Sequence, residues 1–364
     1  MRHPAPLILG GGPAGAAAAI ALARGGVASL VLERSREAGD ALCGGFLSWR
    51  TLETLAGLGV TTDELNRARV TRVRLFAGER VREAALPRPA LAVSRRRLDT
   101  LLAARVPAIE RGVAVRMLDG DTARLDDGGT LASDTILLAT GKHELRGAAR
   151  PALAATDPTL GLRVRLAAAP GLARLIGDAI ELHLFDGGYL GAVLQEDGSA
   201  NLCMAVRRSR LHAAGDPAAL LAVLGRECPT LGERLAYLDG TPTIDAVANV
   251  PYGWRARDTL PGRYRLGDQA GVIPSLAGEG IGIALASGVA AARAIRAGVP
   301  APAFQHDFAR QLARPIGVAG VIRALAEHRA RGLLAIATPP LIRAAATLTR
   351  IKHSGVDAVA GGTH

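Results

Sequence analysis

Gly10-Gly11-Gly12-Pro13-Ala14-Gly15 has the spacing G-x-G-x-x-G, and an acidic residue, Glu33, stands 18 positions after Gly15. This arrangement is suited to holding a dinucleotide. Gly10 permits a tight turn, Gly12 lets backbone N–H groups approach a pyrophosphate, and Gly15 lets a helix pack close to a strand. The helix that follows points its positive end at the phosphates. The Glu33 carboxylate can accept hydrogen bonds from ribose hydroxyls, and its charge disfavours a 2′-phosphate. A glycine-rich turn in an ordinary βαβ unit is the alternative.

A second anion-holding stretch lies some 250 residues later: GDQAGVIPSLAGEGIG, residues 267–282. Asp268 follows a short strand, where its carboxylate can bond a sugar or ribityl hydroxyl. The N–H groups around Gly280 and Ile281 open a helix. They suit the N1–C2=O edge of a flavin, where negative charge appears on reduction. FAD is long enough to touch both turns, whereas NAD leaves the second unexplained. A ligand-free helix-capping loop is the competing account. ATGKHELRG (139–147) carries a single glycine after its strand, so a nicotinamide cofactor has no Rossmann site of its own.

The elements that must place these residues are legible in outline. Leu7–Leu9, an Ala-rich helix over Ala14–Arg24 and a strand over Ala28–Leu32 make one βαβ unit. Thr51–Leu58 and residues 94–106 read as helices, the latter with Leu98, Leu101 and Leu102 inward. Val70–Phe76 alternates, Val73 and Leu75 on one face and Arg72 and Arg74 on the other. Val113–Val115 and Thr135–Ala139 are strand-like. Between 160 and 206 the period becomes two: Leu162–Leu166, Ile180–Phe185, Tyr189–Gln195 and Asn201–Val206 read as strands, with the turn EDGS (196–199) joining the last two. Residues 263–288 return to the α/β style. After Pro300 the chain reads as helical, interrupted by Pro315 and Pro339-Pro340.

Bulk properties narrow the partners. The net charge is +11, yet of 44 basic residues only Lys142 and Lys352 are lysines, the arginines are scattered, and aromatics are 3%. Base stacking needs more, so nucleic acid is excluded as a partner. Three cysteines with no CxxC pair predict neither zinc nor a disulfide framework and fit a reducing cytoplasm. No metal site is expected. The N-terminal apolar run starts inside the glycine-rich turn and reads as a strand rather than a cleavable signal. No uncharged apolar run is long enough to span a bilayer. From 301 onward eight Lys/Arg stand against three Asp/Glu, a net of +5 (8 − 3). Apolar segments with basic breaks, such as GLLAIATPPLIRAAATLTR, suit peripheral contact with an acidic membrane surface, a cover over a greasy substrate entrance, or a helical cap on the core.

The pieces GGGPAG…LER, CGG, VSRRRLDTLL, ATG and GDQAGVIPSLAGEGIGIALASG follow one another in the order found in a known family. The chain resembles the p-hydroxybenzoate hydroxylase-like flavoproteins, including their geranylgeranyl reductase and FAD-dependent monooxygenase branches, over nearly residues 5–290. The resemblance implies an α/β fold: a Rossmann-like FAD-binding domain (1–70, 91–155 and 255–300), an inserted antiparallel β-sheet substrate domain (71–90 and 156–254) and a C-terminal helical segment (301–364). It implies FAD held by Gly10, Gly12, Pro13, Ala14, Gly15, Glu33, Arg34, Arg95, Gly141, Asp268, Gly280 and Ile281. Arg95 matches the V-x-R-x-x-L-D spacing, with Arg96 and Arg97 adjacent. Cys43-Gly44-Gly45 corresponds to the stretch beside the isoalloxazine in the reductase branch, and Tyr189 to a pocket-lining tyrosine.

The departures bear on chemistry. The reductase branch's Y-x-W-x-F-P strand is here Tyr189-Leu190-Gly191-Ala192-Val193-Leu194, and the halogenase branch's W-x-W-x-I-P is absent. The expectation is an FAD-dependent monooxygenase, reduced transiently by NAD(P)H, that hydroxylates a small, fairly apolar aromatic or polyketide-like molecule through a flavin C4a-hydroperoxide. A reductase of isoprenoid or lipid double bonds is the alternative, and a non-catalytic flavin-binding, membrane-docking protein a third. The substrate is expected under the strands around Tyr189 and Leu202–Val206, facing Pro274 and the Cys43 loop. Tyr252 and Trp254 are candidate pocket borders and His143 a candidate acid or base. His183 faces either cavity or solvent.

Overall fold

A computed structural model describes residues 3–151, 156–240 and 242–351. The boundary expected at 155 and the end of the C-terminal segment lie outside the described residues. Five short strands form a parallel sheet in the order Arg263–Arg265, Ile136–Leu138, Leu7–Leu9, Leu30–Glu33, Ile109–Arg111. The central strand Leu7–Leu9 is fully buried, as strands of a parallel sheet covered on both faces are. One face is covered by the helix Pro13–Arg24, where proline occupies the first turn and Gly25 the C-terminal cap. The other carries a small three-stranded sheet, Val115–Asp119, Thr122–Leu125 and Thr130–Ala132, whose Leu118 and Ala123 share a core with Leu7, Leu9 and Leu32.

The two glycine-rich turns are joined by direct helix packing. The helix Gly280–Arg296 lies against Pro13–Arg24, and Gly288 is the point of closest approach: a Cβ there would sit 2.3 Å from the Ala14 carbonyl oxygen. Small residues on both helices therefore bring two N-termini, 267 residues apart (280 − 13), side by side. Ser287 donates nothing to solvent; buried, it accepts from the Gly267 N–H at 2.8 Å and fixes the turn bearing Asp268 to the same helix.

The second layer is an eight-stranded sheet: Asp245–Val247, Thr159–Leu166, Ala200–Arg207, Gly188–Leu194, Ala179–Phe185, Val70–Ala77, Arg80–Ala92 and Phe46–Leu47. It is antiparallel except where Ala179–Phe185 runs parallel to Val70–Ala77. The period of two assigns its faces. Leu162, Val164, Leu190, Ala192, Leu202 and Val206 pack under helices spanning 170–235, while Arg163, Arg165, Tyr189, Gly191 and Cys203 alternate with them. Arg80–Ala92 runs for 13 residues although Pro87 and Pro89 disfavour a strand; it lies near a sheet edge, where prolines are tolerated.

His183 faces neither cavity nor solvent. It is buried, stacked on Phe76 at 4.5 Å, with Nε2 3.2 Å from Glu181 Oε2. Glu181 is itself fully buried, 2.8 Å from Arg74 Nη1 and 2.9 Å from Arg234 Nη2. Burial pushes its carboxyl up, but hydrogen bonds from His183 and Arg234 outweigh that and bring it down to about 2. A depressed carboxyl contributes stability that is present above its ordinary value of 4.5 and is lost as the pH falls toward about 2. Glu181→Gln leaves buried Arg234 with only the exposed Glu233 carboxylate, 2.8 Å away, so urea unfolding is expected to show a loss of about 3 kcal/mol at neutral pH. It should also show less of the acid-dependent fall than the parent protein. A loss under about 1 kcal/mol would mean that the cluster is effectively solvated.

The C-terminal segment is helical: Ala301–His328, Ala330–Ile336 and Pro339–Leu348. Pro315 does not interrupt the first of these. Its ring costs one backbone bond, and the packed side chains Phe304, Phe308, Leu312 and Ile316 hold the helix through it. Pro339-Pro340 instead begin the last helix, where their missing N–H groups would have no acceptor in any case.

Candidate active site

The C-terminal ends of the parallel strands, the sheet face bearing Tyr189 and the loop 35–46 enclose one cavity of about 760 Å³. Of the residues expected to hold FAD, all but Gly15 line it. Gly15 works from behind: a Cβ there would lie 1.9 Å from the Gly10 carbonyl oxygen, so only glycine lets the helix seat against the turn. Gly10 has φ +108°, and its added Cβ would strike the Ala139 carbonyl oxygen at 2.5 Å. Gly44, Gly141 and Gly280 are different: a Cβ on any of them meets nothing within 4 Å, and on Gly12 only Arg95 Nη2, at 3.6 Å. Those four backbones face open space that a flat or extended ligand can fill.

At the adenosine end, Glu33 is already oriented. Its Oε2 accepts from the Gly11 N–H at 2.7 Å and its Oε1 from the Ser35 N–H at 2.8 Å. Arg34 lines the same end. Among the three consecutive arginines, Arg95 is the one that lines the cavity. Its guanidinium is gripped by Asp99 at 3.0 and 2.7 Å, which keeps it charged despite burial. Arg97 turns away to the Glu64 carbonyl at 2.7 Å. The helix Arg95–Ala103 is fixed at its start by Ser94, whose N–H and Oγ both donate to Glu196 at 2.8 and 2.5 Å. Glu196 belongs to the hairpin turn 196–199, so the large sheet positions the arginine of the nucleotide domain.

At the other end, Asp268 sits on the 3₁₀ turn Gly267–Gln269, with Lys142 Nζ 3.2 Å from its Oδ2. Asp268 pushes the Lys142 ammonium further up. Lys142 was missed as a site residue; its rarity in an arginine-rich chain was the available signal. The first amides of the helix Gly280–Arg296 have no intrahelical acceptors and open beside the cavity.

The Cys43-Gly44-Gly45 loop is pinned on both sides. Asn201 Nδ2 donates to the Cys43 carbonyl at 2.9 Å, and Gly45, at φ +71°, lies against the Val93 carbonyl. Asp40 anchors the preceding turn by accepting from the Arg95 N–H at 2.9 Å and from Arg163 and Arg165 at 3.0 and 2.9 Å. No composition or spacing marks Asp40 out, because these three partners come from two distant segments.

Tyr189 is buried on the large sheet and lines the cavity, as does Tyr252. Both meet Ser275: Tyr189 Oη is 2.7 Å from Ser275 Oγ, and Tyr252 donates to the same oxygen at 2.8 Å. The Leu276 N–H donates to Tyr189 Oη at 3.1 Å. Burial pushes both phenols above their ordinary value, so they remain protonated. Three hydroxyl hydrogens thus serve two contacts, and one hydrogen is left for a ligand in the cavity. Trp254 is not part of the lining; its indole is directed to the Gln269 carbonyl at 3.4 Å. Pro274 is buried behind Ile273 and Ser275. Within Leu202–Val206, Leu202 and Val206 belong to the opposite core, while Cys203 lines the cavity with its thiol pushed up to about 12 by burial. Cys203 is therefore a neutral thiol. His143 lines the exposed rim and is pushed down by partial burial. Among the described residues no group of three His, Cys, Asp or Glu side chains is placed to hold a metal ion.

This cradle fits FAD: glycine backbones open to the cavity at Gly12, Gly44 and Gly280, a carboxylate stands at each sugar position, and two helix N-termini face inward. Residues 5–146 match the family model of the FAD binding domain. An alignment of 310 positions, covering 78% of this chain and 74% of digeranylgeranylglycerophospholipid reductase 2 of Methanopyrus kandleri, is 28% identical. Pseudomonas aeruginosa PqsL, solved in complex with 2-aminobenzoylacetate, superposes with a TM-score of 0.72 at 18% identity, over 90% of this chain and 98% of PqsL. A geranylgeranyl bacteriochlorophyll reductase-like protein from Thermoplasma acidophilum gives 0.69 at 19% identity, over 97% and 94%. Similarity at that level establishes the fold, and together with the matched domain and the cradle it leads to one assignment: residues 5–146 form an FAD binding domain, and the chain is an FAD-dependent oxidoreductase.

Proposed function

We propose that this enzyme is a monooxygenase that hydroxylates a small, fairly apolar molecule carrying an oxygen acceptor, such as a phenol or an aryl or polyketide ketone. The observation that carries the reading is the hydroxyl set of Tyr189, Ser275 and Tyr252, with its one unspent hydrogen, in a cavity otherwise lined here by Ile180, Leu182 and Val193. A buried donor with no acceptor is costly, so the site favours a substrate that supplies one. An isolated lipid double bond supplies none. FAD, when bound, takes a hydride from transiently bound NAD(P)H and passes electrons to dioxygen.

The chain's own residues do the positioning. Gly12, Pro13, Ala14 and Arg95 would hold the pyrophosphate, Glu33 and Arg34 the adenosine end, and Asp268 with Lys142 the ribityl side. The amides of Gly280 and Ile281 would stabilise charge at the ring edge, and Gly44 would let the loop lie flat on the ring. Gly141 leaves room for the backbone of the ligand to pass. Tyr189 would orient the substrate oxygen, Tyr252 would order Ser275 beside it, and the tight seat of the Cys43 loop would keep water from the ring face. The enzyme is proposed to work in the cytoplasm.

The reductase reading keeps one specific support, the 28% identity to an archaeal lipid reductase. Purified protein given NAD(P)H and a phenolic or keto substrate should consume oxygen and yield a hydroxylated product. Turnover without oxygen to a saturated isoprenoid, with no oxygen uptake on any oxygenated substrate, would replace the monooxygenase by the reductase. With Tyr252 donating to Ser275 and Ser275 to Tyr189, the unspent hydrogen is on Tyr189, so Tyr189→Phe should retain FAD and lower kcat/KM by about tenfold through KM, the worth of one substrate hydrogen bond. An unchanged KM would remove the hydroxyl set from substrate recognition.

A further inference from the structure

Among the described residues six large hydrophobic side chains are exposed, and four of them, Val81, Ile336, Leu341 and Leu348, lie on the strand Arg80–Ala92 and the two short helices packed against it. Leu341 and Leu348 are two turns apart on one face of the helix Pro339–Leu348, with Ile342 turned inward. That helix packs along the strand Arg80–Ala92, which carries Val81. Ile336, 60% exposed, ends the preceding short helix, and Arg331 of the same helix lies beside the Gly78 turn next to Val81.

The charges around this stripe are mostly basic: of the two exposed acids beside Val81, Glu83 is paired with Arg72 and Arg74, which leaves Glu79 against four arginines. Arg80, Arg82, Arg331 and Arg343 are exposed, and none has a carboxylate partner among the described residues. The acids of the described C-terminal segment are already spent: Asp307 faces Arg310, and Glu327 is held by Arg207 and Arg323. The inner side of the same short helix reaches the active-site wall, where Leu333 and Leu334 share an apolar cluster with Tyr189 and Tyr252. An apolar stripe rimmed by unneutralised arginines is complementary to the headgroup–acyl boundary of an anionic bilayer. A symmetric contact with a second copy would instead set the same four arginines against one another, with a single Glu79 from each copy to offset them.

We propose that the surface formed by Val81, Ile336, Leu341 and Leu348 docks on an anionic phospholipid bilayer, which places the helix walling the active site against the lipid. The inference goes beyond the proposed reaction and is tested apart from it. The FAD-loaded enzyme is sedimented with sucrose-loaded vesicles of phosphatidylcholine, with and without phosphatidylglycerol. It should pellet with the anionic vesicles alone and be released by high salt. Arg331→Gln and Arg343→Gln should each weaken binding roughly fivefold, and the pair Leu341→Asp with Leu348→Asp should abolish it. Each variant keeps its FAD absorbance as evidence of folding, and oxygen uptake with a water-soluble substrate stays unchanged. No sedimentation with anionic vesicles, or binding that all four substitutions leave intact, overturns the proposal. So does a dimer in sedimentation velocity that Leu341→Asp splits while vesicles fail to bind, because that outcome assigns the surface to a second copy.

Discussion

Gly12→Val protein is expected to fold and to emerge colourless. The backbone at Gly12 is extended, at φ −70°, so valine is allowed there, and an added Cβ meets only the end of the Arg95 side chain, at 3.6 Å. The chain therefore loses little stability. What the side chain removes is the space into which the first amides of the helix Pro13–Arg24 open, so FAD should bind at least ~100-fold more weakly, about 2.8 kcal/mol. Gly15→Val is the contrasting control. Its Cβ would fall 1.9 Å from the Gly10 carbonyl, so that variant should unfold or fail to accumulate. The measurements are the 450 nm absorbance of purified protein and the melting temperature of each apoprotein. A yellow Gly12→Val protein with stoichiometric FAD would show that the cofactor does not lie over this turn.

The contrast between these glycines shows how much of the site the sequence discloses. Gly10 and Gly15 are legible because close backbone approaches leave glycine as the only residue that fits, Gly12 because the ligand needs the space a side chain would take, and their spacing follows from a short local unit. The strand period of two is legible for the same local reason, and it places Tyr189 on the opposite face from Leu190. Asp40, Glu196 and Ser275 are not legible. Each acts on a segment from another part of the chain: Glu196 on Ser94, Asp40 on Arg95 and Arg163, Ser275 on Tyr189 and Tyr252. Their residue types are common in loops, and only the packing of the sheet over the nucleotide domain turns them into partners. His183 shows the converse. A histidine in an alternating strand suggests solvent or chemistry, but its neighbours on the third dimension are Phe76 and Glu181.

The C-terminal helices illustrate the same limit at larger scale. Composition reads them as a basic, apolar tail, and three destinies fit that description. The structure adds one contact that composition cannot carry: the chain returns at Arg350 to the loop that opens the helix Gly280–Arg296. Arg350 donates to the carbonyls of Ala277 and Gly278 and pairs with Glu279, while its plane lies over the rings of Phe46 and Trp49 at 6.0 and 5.6 Å. Glu279 is fully buried and also accepts from Ser48 Oγ at 3.0 Å and from the Ile351 N–H at 3.3 Å. One guanidinium thus ties the residues just before Gly280 to those just after Gly45.

Arg350→Ala is accordingly expected to act on the cofactor from outside the cavity. Removing it strands the Glu279 carboxylate in the core, and breaking a buried pair from one side costs about 3–5 kcal/mol. The melting temperature should fall, and FAD should dissociate faster, since the amides of Gly280 and Ile281 are positioned by the loop that Arg350 holds. Glu279→Gln combined with Arg350→Met removes both charges while keeping similar volume, and should recover much of the stability. If Arg350→Ala melts and releases FAD like the parent protein, the ion pair is open to water and the C-terminal helix does not brace the site. If stability falls but FAD release does not change, the clamp serves the fold alone, and the ring end of the cofactor rests on Asp268 and the helix amides without it.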